Sequence, residues 1–192
     1  MPRMFIISGP NGSGKTTASY TLLPDMLECR EFVNSDEFAK SLSPFDPGAA
    51  SVDASRKMIL KINYLIARKL DFCVETTLAT RSLMGIIRQA REAGYYITLI
   101  YFWISNPEIA IERVHNRVLA GGHNIDEDTI RRRYMTGLRY FFEFYSPVCD
   151  RWVLADNTTT PFAVVAEGNP GQMRIRKKER YKEIKDILND TE

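Results

Sequence analysis

The sequence predicts an α/β fold, a three-layer sandwich built on a mostly parallel sheet of about five strands. Short apolar runs alternate along the chain with segments whose apolar residues recur at helical spacing. This arrangement is expected when helices cover both faces of a parallel sheet. The longest apolar run, 95–104, is long enough for a central strand buried on both faces. The 192 residues contain no linker-like stretch, so we expect a single domain, 1–192, with a properly buried core.

Each element has a place along the chain. The apolar runs predict strands at 4–7, 31–33, 72–74, 95–104 and 152–154, with a candidate edge strand at 162–165. Helical spacing predicts helices near 17–23, 49–70, 80–93, 107–119 and 126–144, and a charged helical tail near 174–192. Strands and helices therefore alternate, as a parallel sheet requires.

Turn and capping residues indicate the helix limits. Asn106 can cap a helix and Pro107 suits its first turn, so a helix should follow the longest strand directly. Gly94 and the glycine pair at 121–122 are usual stops at helix C-termini. The three acids at 126–128 favour a helix start, because carboxylates stabilise the positive end of the helix dipole.

A complete phosphate-binding pattern, G-x-x-x-x-G-K-[ST], occupies residues 9–16 between the first strand and the first helix. Its glycines let successive backbone N–H groups point at one anion, and the helix adds the positive end of its dipole. Lys15 would reach the β- and γ-phosphates of a nucleoside triphosphate, and the Thr16 hydroxyl would bind Mg²⁺. A glycine turn with a chance lysine is the alternative, which the strand–loop–helix context disfavours. We therefore expect a nucleoside triphosphate and Mg²⁺ to bind here, and the residues expected to bind them are Gly9, Pro10, Asn11, Gly12, Ser13, Gly14, Lys15, Thr16 and Thr17.

Two predicted strands end in carboxylates, and ligands of open α/β sheets bind beyond the carboxyl ends of the strands. Asp36 follows the second strand and could act as the general base for a substrate hydroxyl, or as a Mg²⁺ ligand. The alternative is that Asp36 or Ser35 merely caps the short helix that follows. Glu75 follows the buried run 72–74, where a carboxylate must be paired, bound to metal or exposed to a cleft. We expect Glu75 to position substrate or Mg²⁺.

Arginines cluster on the pair of helices at 107–144. Arg113 and Arg117 lie four residues apart and share one helix face, and 131–133 is a run of three arginines on the next helix. Such helices, joined by a glycine turn, can form a lid that closes on a triphosphate and adds positive charge to the transition state. The alternative is a solvated basic face paired with neighbouring glutamates.

Two further features have ordinary structural explanations beside the functional ones. His123 lies in the glycine turn, where it could contact substrate, although a lone loop histidine is more often structural. The aromatic run 140–145 could stack on a nucleotide base, but at helical spacing it is more often part of the core.

Composition restricts the class of protein. The 26 basic residues nearly balance the 24 acidic ones, for a net charge of +2, which gives no sign of a nucleic-acid partner. No apolar run approaches the roughly 20 residues of a membrane helix, and the first strand starts too early to leave room for a signal peptide. The three cysteines, Cys29, Cys73 and Cys149, lack metal-site spacing. Reduced thiols in a cytoplasmic protein are the expectation.

Over about residues 4–157 the chain resembles the zeta-toxin family of P-loop kinases. The matching segments are GPNGSGKTT in the phosphate loop, NSDEF after the second strand, ETT after the third, PEIAIER at 107–113, and GGHN with DTIRRRY at 121–134. The resemblance implies a kinase that uses ATP and Mg²⁺ to phosphorylate a small-molecule hydroxyl. In the best-studied members this is the 3′-hydroxyl of UDP-N-acetylglucosamine, and an antitoxin protein is a partner that the resemblance suggests.

The resemblance also implies roles by position. Asp36 corresponds to the catalytic base, Lys15 to the phosphate-binding lysine and Arg113 to the first arginine of the lid. Glu75 and Thr77 correspond to the substrate end of the third strand.

Two departures from the family pattern concern the substrate and the lid. The toxins carry a sugar-binding glutamate on the helix where this chain has no acid, at 58–60. Their second lid arginine corresponds to 122–123, so Arg117 or one of the arginines at 131–133 must take its place, with Arg117 and Arg132 as our candidates. The kinase machinery therefore carries over better than the sugar-nucleotide substrate.

Three functions remain open from the sequence. The leading hypothesis is an ATP-dependent small-molecule kinase, and the second is a kinase acting on a nucleotide, an antibiotic hydroxyl or a polynucleotide end. The third is a nucleotide-dependent switch or regulatory ATPase that binds a partner protein. Against the third, the run 95–104 is followed by Ser105 and no acid, whereas switch and motor NTPases place a second Mg²⁺ ligand at such a strand end.

Overall fold

The strands form a mixed sheet that is parallel over the part that carries the phosphate loop. The computed structural model of the protein describes residues 1–25, 27–45, 48–122 and 124–190. The strands of these residues are β1 (Arg3–Ser8), β2 (Phe32–Asn34), β3 (Phe72–Thr76), β4 (Tyr96–Trp103), β5 (Arg151–Asp156), β6 (Ala163–Asn169) and β7 (Gln172–Ile175). Their order across the sheet is β2-β3-β1-β4-β5-β6-β7. Neighbours from β2 to β5 are parallel, whereas β6 and β7 are added antiparallel.

The predicted α/β fold is confirmed, and the sheet is larger than expected. The candidate edge strand at 162–165 is present as β6, and β7 forms where the tail was expected to be helical. The Pro170-Gly171 pair reverses the chain between them, with Gly171 at φ 89°, a conformation that glycine adopts without strain. The seven strands thus include a terminal hairpin that the apolar pattern alone does not reveal.

Helices connect and cover the strands. Those of the described residues are α1 (Lys15–Asp25), α2 (Ser35–Leu42), α3 (Ser51–Ala67), α4 (Leu83–Glu92), α5 (Pro107–Leu119), α6 (Glu127–Tyr140) and α7 (Lys178–Asn189). The helix predicted at 126–144 divides into α6 and one π-helical turn, Phe141–Tyr145. Across the described ranges, none of these helices is long and apolar enough to cross a membrane.

Side-chain caps start the two helices that were expected to carry the lid. The Asn106 side chain accepts a hydrogen bond from the Ile109 N–H at 3.1 Å, with Pro107 in the first turn of α5. Asp126 accepts from the Thr129 N–H at 3.0 Å at the start of α6. Each cap pairs a backbone N–H that would otherwise have no partner within the helix.

Alternation along the central strands divides the core into two layers. Met4 and Ile6 of β1 lie in the larger apolar cluster, whereas Phe5 and Ile7 lie in the smaller one. Successive strand residues point to opposite faces of the sheet, which explains the division. The smaller cluster is covered by α1 through Ala18, and the larger one includes buried residues of α3 to α7. The three predicted layers are therefore present.

The aromatic run at 140–145 belongs to the core. Phe141 and Tyr145 are fully buried, and the ring of Phe141 packs edge-on against Trp152 with 5.7 Å between ring centroids. The structural explanation of this run holds, and these two rings are not available to stack on a nucleotide base.

The cysteines are structural. Cys29, Cys73 and Cys149 are buried thiols without a disulfide. Burial raises the pKa of Cys29 to about 11 and that of Cys149 to about 12, so both thiols are protonated and unreactive near neutral pH.

Parallel pairing brings the carboxyl ends of three strands together. Glu75 of β3 stands in register with Ile7 of β1 and with Asn34 of β2. The phosphate loop begins directly after Ser8, at the end of β1. The loop, the end of β2 and Glu75 therefore share one rim of the sheet.

Candidate active site

A cavity of about 970 Å³ opens at this rim. Its lining comes from the phosphate loop, from the ends of β2 and β3, from one face each of α3 and α4, and from arginines of α5 and α6. The cavity lies beyond the carboxyl ends of parallel strands, where ligands of open α/β sheets bind.

The phosphate loop has the conformation that its glycines permit. Gly9, Gly12 and Gly14 all have positive φ, at 141°, 76° and 84°. At Gly14 a Cβ would lie 2.5 Å from Nδ2 of Asn157, and this same amide donates a hydrogen bond to the Ser13 carbonyl at 2.7 Å. The loop therefore needs glycine at position 14, because a side chain there would clash with the Asn157 amide that hydrogen bonds to the Ser13 carbonyl.

Lys15 is buried at the base of the cavity and charged groups surround it. Its Nζ donates a hydrogen bond to the Pro10 carbonyl at 2.8 Å. Burial lowers the pKa of Lys15, while the carboxylates of Glu75 and Asp36 act in the opposite direction. A lysine held in this way lies within the loop that would bind phosphate, with both strand-end carboxylates near it.

Thr16 and Glu75 form a direct pair. The Thr16 hydroxyl donates to Oε1 of Glu75 at 3.0 Å, whereas Oε2 of Glu75 is buried and has no hydrogen-bond partner among the described residues. Burial raises the pKa of Glu75, and Lys15 and the Thr16 hydroxyl oppose that shift. A buried carboxylate oxygen without a partner is costly unless a ligand completes it.

These oxygens fit a Mg²⁺ ion bound together with a triphosphate. Such Mg²⁺ sites take one or two protein oxygens, and water and phosphate oxygens complete the shell. The described residues contain no group of three or more His, Cys, Asp or Glu that would hold a metal by itself. The Thr16 hydroxyl and the unpartnered oxygen of Glu75 are the protein ligands that this arrangement offers.

Asp36 lines the cavity with an exposed side chain. Its backbone N–H donates to Oδ1 of Asn34 at 2.8 Å, so Asn34 caps α2. The alternative in which Asp36 or Ser35 supplies the cap is therefore wrong, because Asn34 already fills that position. The Asp36 carboxylate remains at the cavity beside Lys15.

Arg113 ties three segments of backbone together. Its guanidinium donates to the carbonyls of Asn157 at 3.0 Å and Thr158 at 2.8 Å, and more weakly to that of Gly12 at 3.4 Å. It also lines the cavity. In this structure its hydrogen bonds connect the phosphate loop to the chain after β5. Its role as a lid arginine stays a prediction that rests on its position in the sequence.

The other arginines divide between the cavity and the surface. Arg117 lines the cavity close enough to affect Lys15. Arg133 also lines it and donates to Oδ1 of Asn11 at 3.1 Å. Arg132, our candidate from the sequence, is exposed and does not line the cavity. Arg133 takes its place because α6 buries Tyr134 and Ile130 in the core, which turns Arg132 toward solvent and Arg133 toward the loop.

Arg133 is a partly buried cation that lies near the Asp36 carboxylate. Burial lowers its pKa, and the nearby carboxylate of Asp36 acts in the opposite direction. A guanidinium nevertheless keeps its charge in proteins. On the same helix, Arg131 forms an ion pair with Glu108 of α5, so the basic-face explanation applies to Arg131.

The chain after β3 lies against α6. Thr77 lines the cavity, as its predicted role requires. A Cβ at Gly137 would lie 2.5 Å from the Thr77 carbonyl oxygen, so only glycine allows α6 to approach this closely. His123, the other predicted substrate residue, lies outside the described residues.

Sequence reasoning missed several side chains that the site uses. Asn34 and Asn157 stand at strand ends, the position that drew attention to Asp36 and Glu75, but an amide gives a weaker signal than a carboxylate. Asp156 is a carboxylate just beyond the strand predicted at 152–154, but it does not line the cavity. It pairs with Arg180 at 3.1 Å and accepts a hydrogen bond from the Thr158 N–H.

The family comparison and one curated relative cover most of the chain. A family model described as "AAA domain" matches residues 4–141. An uncharacterised protein of Haemophilus influenzae is 36% identical over 126 residues, which are 66% of this chain and 88% of that protein.

Two solved structures share the fold. The PezAT chromosomal toxin–antitoxin system of Streptococcus pneumoniae gives a TM-score of 0.66 at 17% identity, over 99% of this chain and 87% of that one. The AvrRxo1-ORF1:AvrRxo1-ORF2 complex with sulphate ions gives 0.72 at 17% identity, over 96% of this chain. The match spans 63% of that chain's length, and the same complex has also been solved with ATP.

These likenesses bear on the fold and the family. The structural matches confirm, at the level of the fold, the resemblance to zeta-toxin-type P-loop kinases. The phosphate loop, in the family's matched region, supports nucleotide binding. Because the family model covers well over half of the sequence, this chain belongs to the AAA domain family, with the fold of a P-loop kinase.

Proposed function

We propose that the protein is a kinase that transfers the γ-phosphate of ATP to a hydroxyl group of a small molecule. The observation that carries the proposal is the neighbourhood of Lys15, where the carboxylates of Asp36 and Glu75 face the same cavity as the phosphate loop. A nucleotide-binding loop alone would suit a switch or a motor. A carboxylate that lines the cavity beside the phosphate-binding lysine adds a general base, which can accept the proton of an acceptor hydroxyl.

The chain's own residues divide the work of the transfer. Backbone N–H groups of the loop and Lys15 bind the β- and γ-phosphates. Arg117 and Arg133 bring positive charge toward the transferred group, where it stabilises the developing negative charge. Asp36, exposed to the cavity, accepts the proton of the attacking hydroxyl, and the oxygen then bonds to the γ-phosphorus as the bond to ADP breaks.

Thr16 and Glu75 are the residues that would hold Mg²⁺. When bound, Mg²⁺ neutralises charge on the phosphate oxygens and orients them. Glu75, which hydrogen bonds to Thr16, is favoured as metal ligand over Asp36, which is thereby left as the base.

The resemblance in sequence and the fold neighbours suggest candidates for the acceptor and a partner. UDP-N-acetylglucosamine is the first acceptor to test, on the resemblance to zeta toxins. One neighbour is described as a toxin–antitoxin system and the other as a complex of AvrRxo1-ORF1 with AvrRxo1-ORF2, and this supports a small antitoxin protein as a partner.

A nucleotide-dependent switch or regulatory ATPase is less well supported. Switch and motor NTPases hold Mg²⁺ with the phosphate-loop Ser/Thr and one acidic residue, a pair that Thr16 and Glu75 also offer here. Such a protein has no need of Asp36, a second carboxylate that lines the cavity.

Asp36→Asn tests the proposal most directly. With labelled ATP, Mg²⁺ and a panel of hydroxyl compounds that includes UDP-N-acetylglucosamine, we expect the wild type to form a labelled product. The variant should lose roughly 10²–10⁴-fold in transfer rate, the usual contribution of a general base. Protection from heat by ATP should persist, because Asp36 does not belong to the phosphate loop.

Glu37→Gln is the matched control for this experiment. Glu37 is exposed on the same helix and does not line the cavity, so its variant should transfer phosphate at the wild-type rate. Equal rates for Asp36→Asn and the wild type would remove Asp36 from the mechanism. ATP hydrolysis with no labelled product from any acceptor would instead favour the regulatory ATPase.

A further inference from the structure

The cavity has a charged end and an uncharged end. Among the described residues, the charged side chains that line it come from the phosphate loop, the ends of β2 and β3, α5 and α6, and they are Lys15, Asp36, Glu75, Arg113, Arg117 and Arg133. The remaining walls come from one face each of α3 and α4. Every residue of those two faces that lines the cavity is uncharged. We call these faces the uncharged end.

The uncharged end combines apolar and amide side chains. Met58, Ile59 and Asn63 come from α3, and Ile86 and Gln89 come from α4. An amide both donates and accepts hydrogen bonds, so Asn63 and Gln89 can pair with hydroxyl, carbonyl or amide groups of a ligand. The apolar side chains offer it a surface without polar atoms.

The charged residues of the two helices do not line the cavity. They are Asp53, Arg56, Lys57, Lys61, Arg88, Arg91 and Glu92.

Two of these residues form ion pairs with distant segments of the chain. Lys61 forms an ion pair with Glu31 at 3.0 Å, and Arg91 pairs with Asp150 at 3.2 Å. Arg81, next to the start of α4, lies over the ring of Phe144 at 3.9 Å from the centroid. The absence of charge on the uncharged end therefore reflects the direction of each helix face, not a shortage of charged residues in the helices.

The cations of the charged end lie at or next to the loop that would bind the triphosphate of the phosphate donor. Lys15 belongs to the phosphate loop, and Arg133 hydrogen bonds to Asn11 of that loop. Arg113 is bound to backbone carbonyls, and Arg117 lies close enough to Lys15 to lower its pKa. An anionic group on the acceptor would have to lie on the uncharged end without a cation. Placing a charge there without a counter-ion is unfavourable.

We propose that the uncharged end binds an electrically neutral acceptor, a hydroxyl compound with an apolar part and with carbonyl, amide or further hydroxyl groups. Acceptors that carry a phosphate or a carboxylate bind there poorly. This inference rests on the proposed kinase function, and it turns UDP-N-acetylglucosamine, with its charged diphosphate, into a poor acceptor.

Matched pairs of neutral and anionic compounds test the inference. The pairs are N-acetylglucosamine with N-acetylglucosamine 1-phosphate and with UDP-N-acetylglucosamine, uridine with uridine monophosphate, and a benzyl alcohol with its carboxylated analogue. Binding to the wild-type protein is measured by ligand-observed NMR, with Mg²⁺ and a non-hydrolysable ATP analogue occupying the donor site. We expect the neutral member to bind at least tenfold more tightly in the pairs that bind.

The outcomes separate this inference from the proposed function. Tighter binding of the anionic members, binding of no member of any pair, or displacement of the neutral compounds by the ATP analogue would overturn the neutral acceptor. Neutral compounds that bind to the analogue-loaded protein, yet receive no phosphate from labelled ATP, would overturn the kinase function and leave the neutral ligand standing.

A charge added to the uncharged end should change the preference. Ile59 lines the cavity and is 46% exposed, whereas its neighbour Leu60 is 68% exposed and does not line it. Ile59→Lys should improve the binding of the anionic member relative to the neutral one at least tenfold. Leu60→Lys should leave the ratio within twofold of the wild type. Identical ratios in the two variants would contradict the assignment of the uncharged end to the acceptor.

Discussion

The two ends of the cavity are built by different means. The charged end presents positive charge in a fixed arrangement. It consists of the backbone N–H groups of a glycine loop, a buried lysine, and arginines that are held by hydrogen bonds to distant residues. At the uncharged end, the surface side chains of α3 and α4 form the wall, and Ile59 is nearly half exposed. The first construction depends on backbone conformation and on distant hydrogen bonds. The second depends on which side chains the two helices present.

This difference teaches which part of the site is free to vary. A change of loop conformation would alter every phosphate contact together, because the N–H groups act as a set. A changed side chain on α3 or α4 alters only its own contact with the ligand. A site of this design can keep its phosphate donor while its acceptor changes, which agrees with the rule that function depends on the site more than on the fold.

The largest expected effect is at the charged end. Lys15→Ala removes the buried cation next to the phosphates, and we expect phosphoryl transfer to fall by about 10³-fold or more. Protection from heat by ATP should also decline. Lys40, an exposed lysine of α2, provides the control, and Lys40→Ala should leave both quantities unchanged. Equal protection of wild type and Lys15→Ala by ATP would contradict the role of the phosphate loop.

A smaller effect should distinguish two adjacent arginines. Arg133→Ala removes a charge that lines the cavity and hydrogen bonds to Asn11, so transfer should slow by about 10²-fold. Arg132→Ala removes an exposed charge outside the cavity and should change the rate less than twofold. Steady-state rates with labelled ATP measure both. A greater loss of rate in Arg132→Ala than in Arg133→Ala would support Arg132, the candidate from the sequence, and would contradict the assignment of Arg133 to the charged end.

The smallest effect is on stability and depends on pH. Burial raises the pKa of Glu75 above its ordinary value of 4.5, so its ionised form opposes folding. This penalty is absent below about pH 4.5 and develops as the pH rises through the folded-state pKa. Without nucleotide or Mg²⁺, Glu75→Gln should therefore raise Tm at pH 8 above that of the wild type, as measured by thermal melts.

The pH series carries its own control. At pH 4 the gain from Glu75→Gln should vanish, because the wild-type carboxyl is then protonated in both states. Glu37→Gln changes an exposed carboxylate next to the site and should leave Tm unaffected across the range. A variant that melts lower than the wild type at pH 8 would show that the Glu75 carboxylate stabilises the apo protein.

The sequence predicted the charged end better than the uncharged end. The loop at 9–16 is a local backbone motif, and Asp36 and Glu75 follow from the rule that ligands meet strand ends. Arg133, by contrast, reaches Asn11 across 122 residues of sequence, and its orientation depends on how α6 packs. No local pattern distinguishes Arg132 from Arg133 before that packing is known.

The uncharged end had no sequence signal of its own. Asn63 and Gln89 are ordinary surface residues of helices. They share a cavity only because α3 and α4, which precede and follow β3 in the chain, each present one face to it. The hairpin of β6 and β7 was missed for a related reason. β7 alternates polar and apolar residues over only four positions, Gln172–Ile175, which is too short a pattern to separate it from the charged tail that follows.

The contact between Gly137 and Thr77 has a mechanical consequence. The backbone of α6 rests directly on the carbonyl of Thr77, and one turn earlier the same helix carries Arg133 over the loop. A displacement of α6 toward a bound triphosphate would therefore act on the chain after β3, which leads into α4 and so into the uncharged end. Because Gly137 has no side chain to separate these two segments, binding of the triphosphate can strain the backbone that leads to the acceptor.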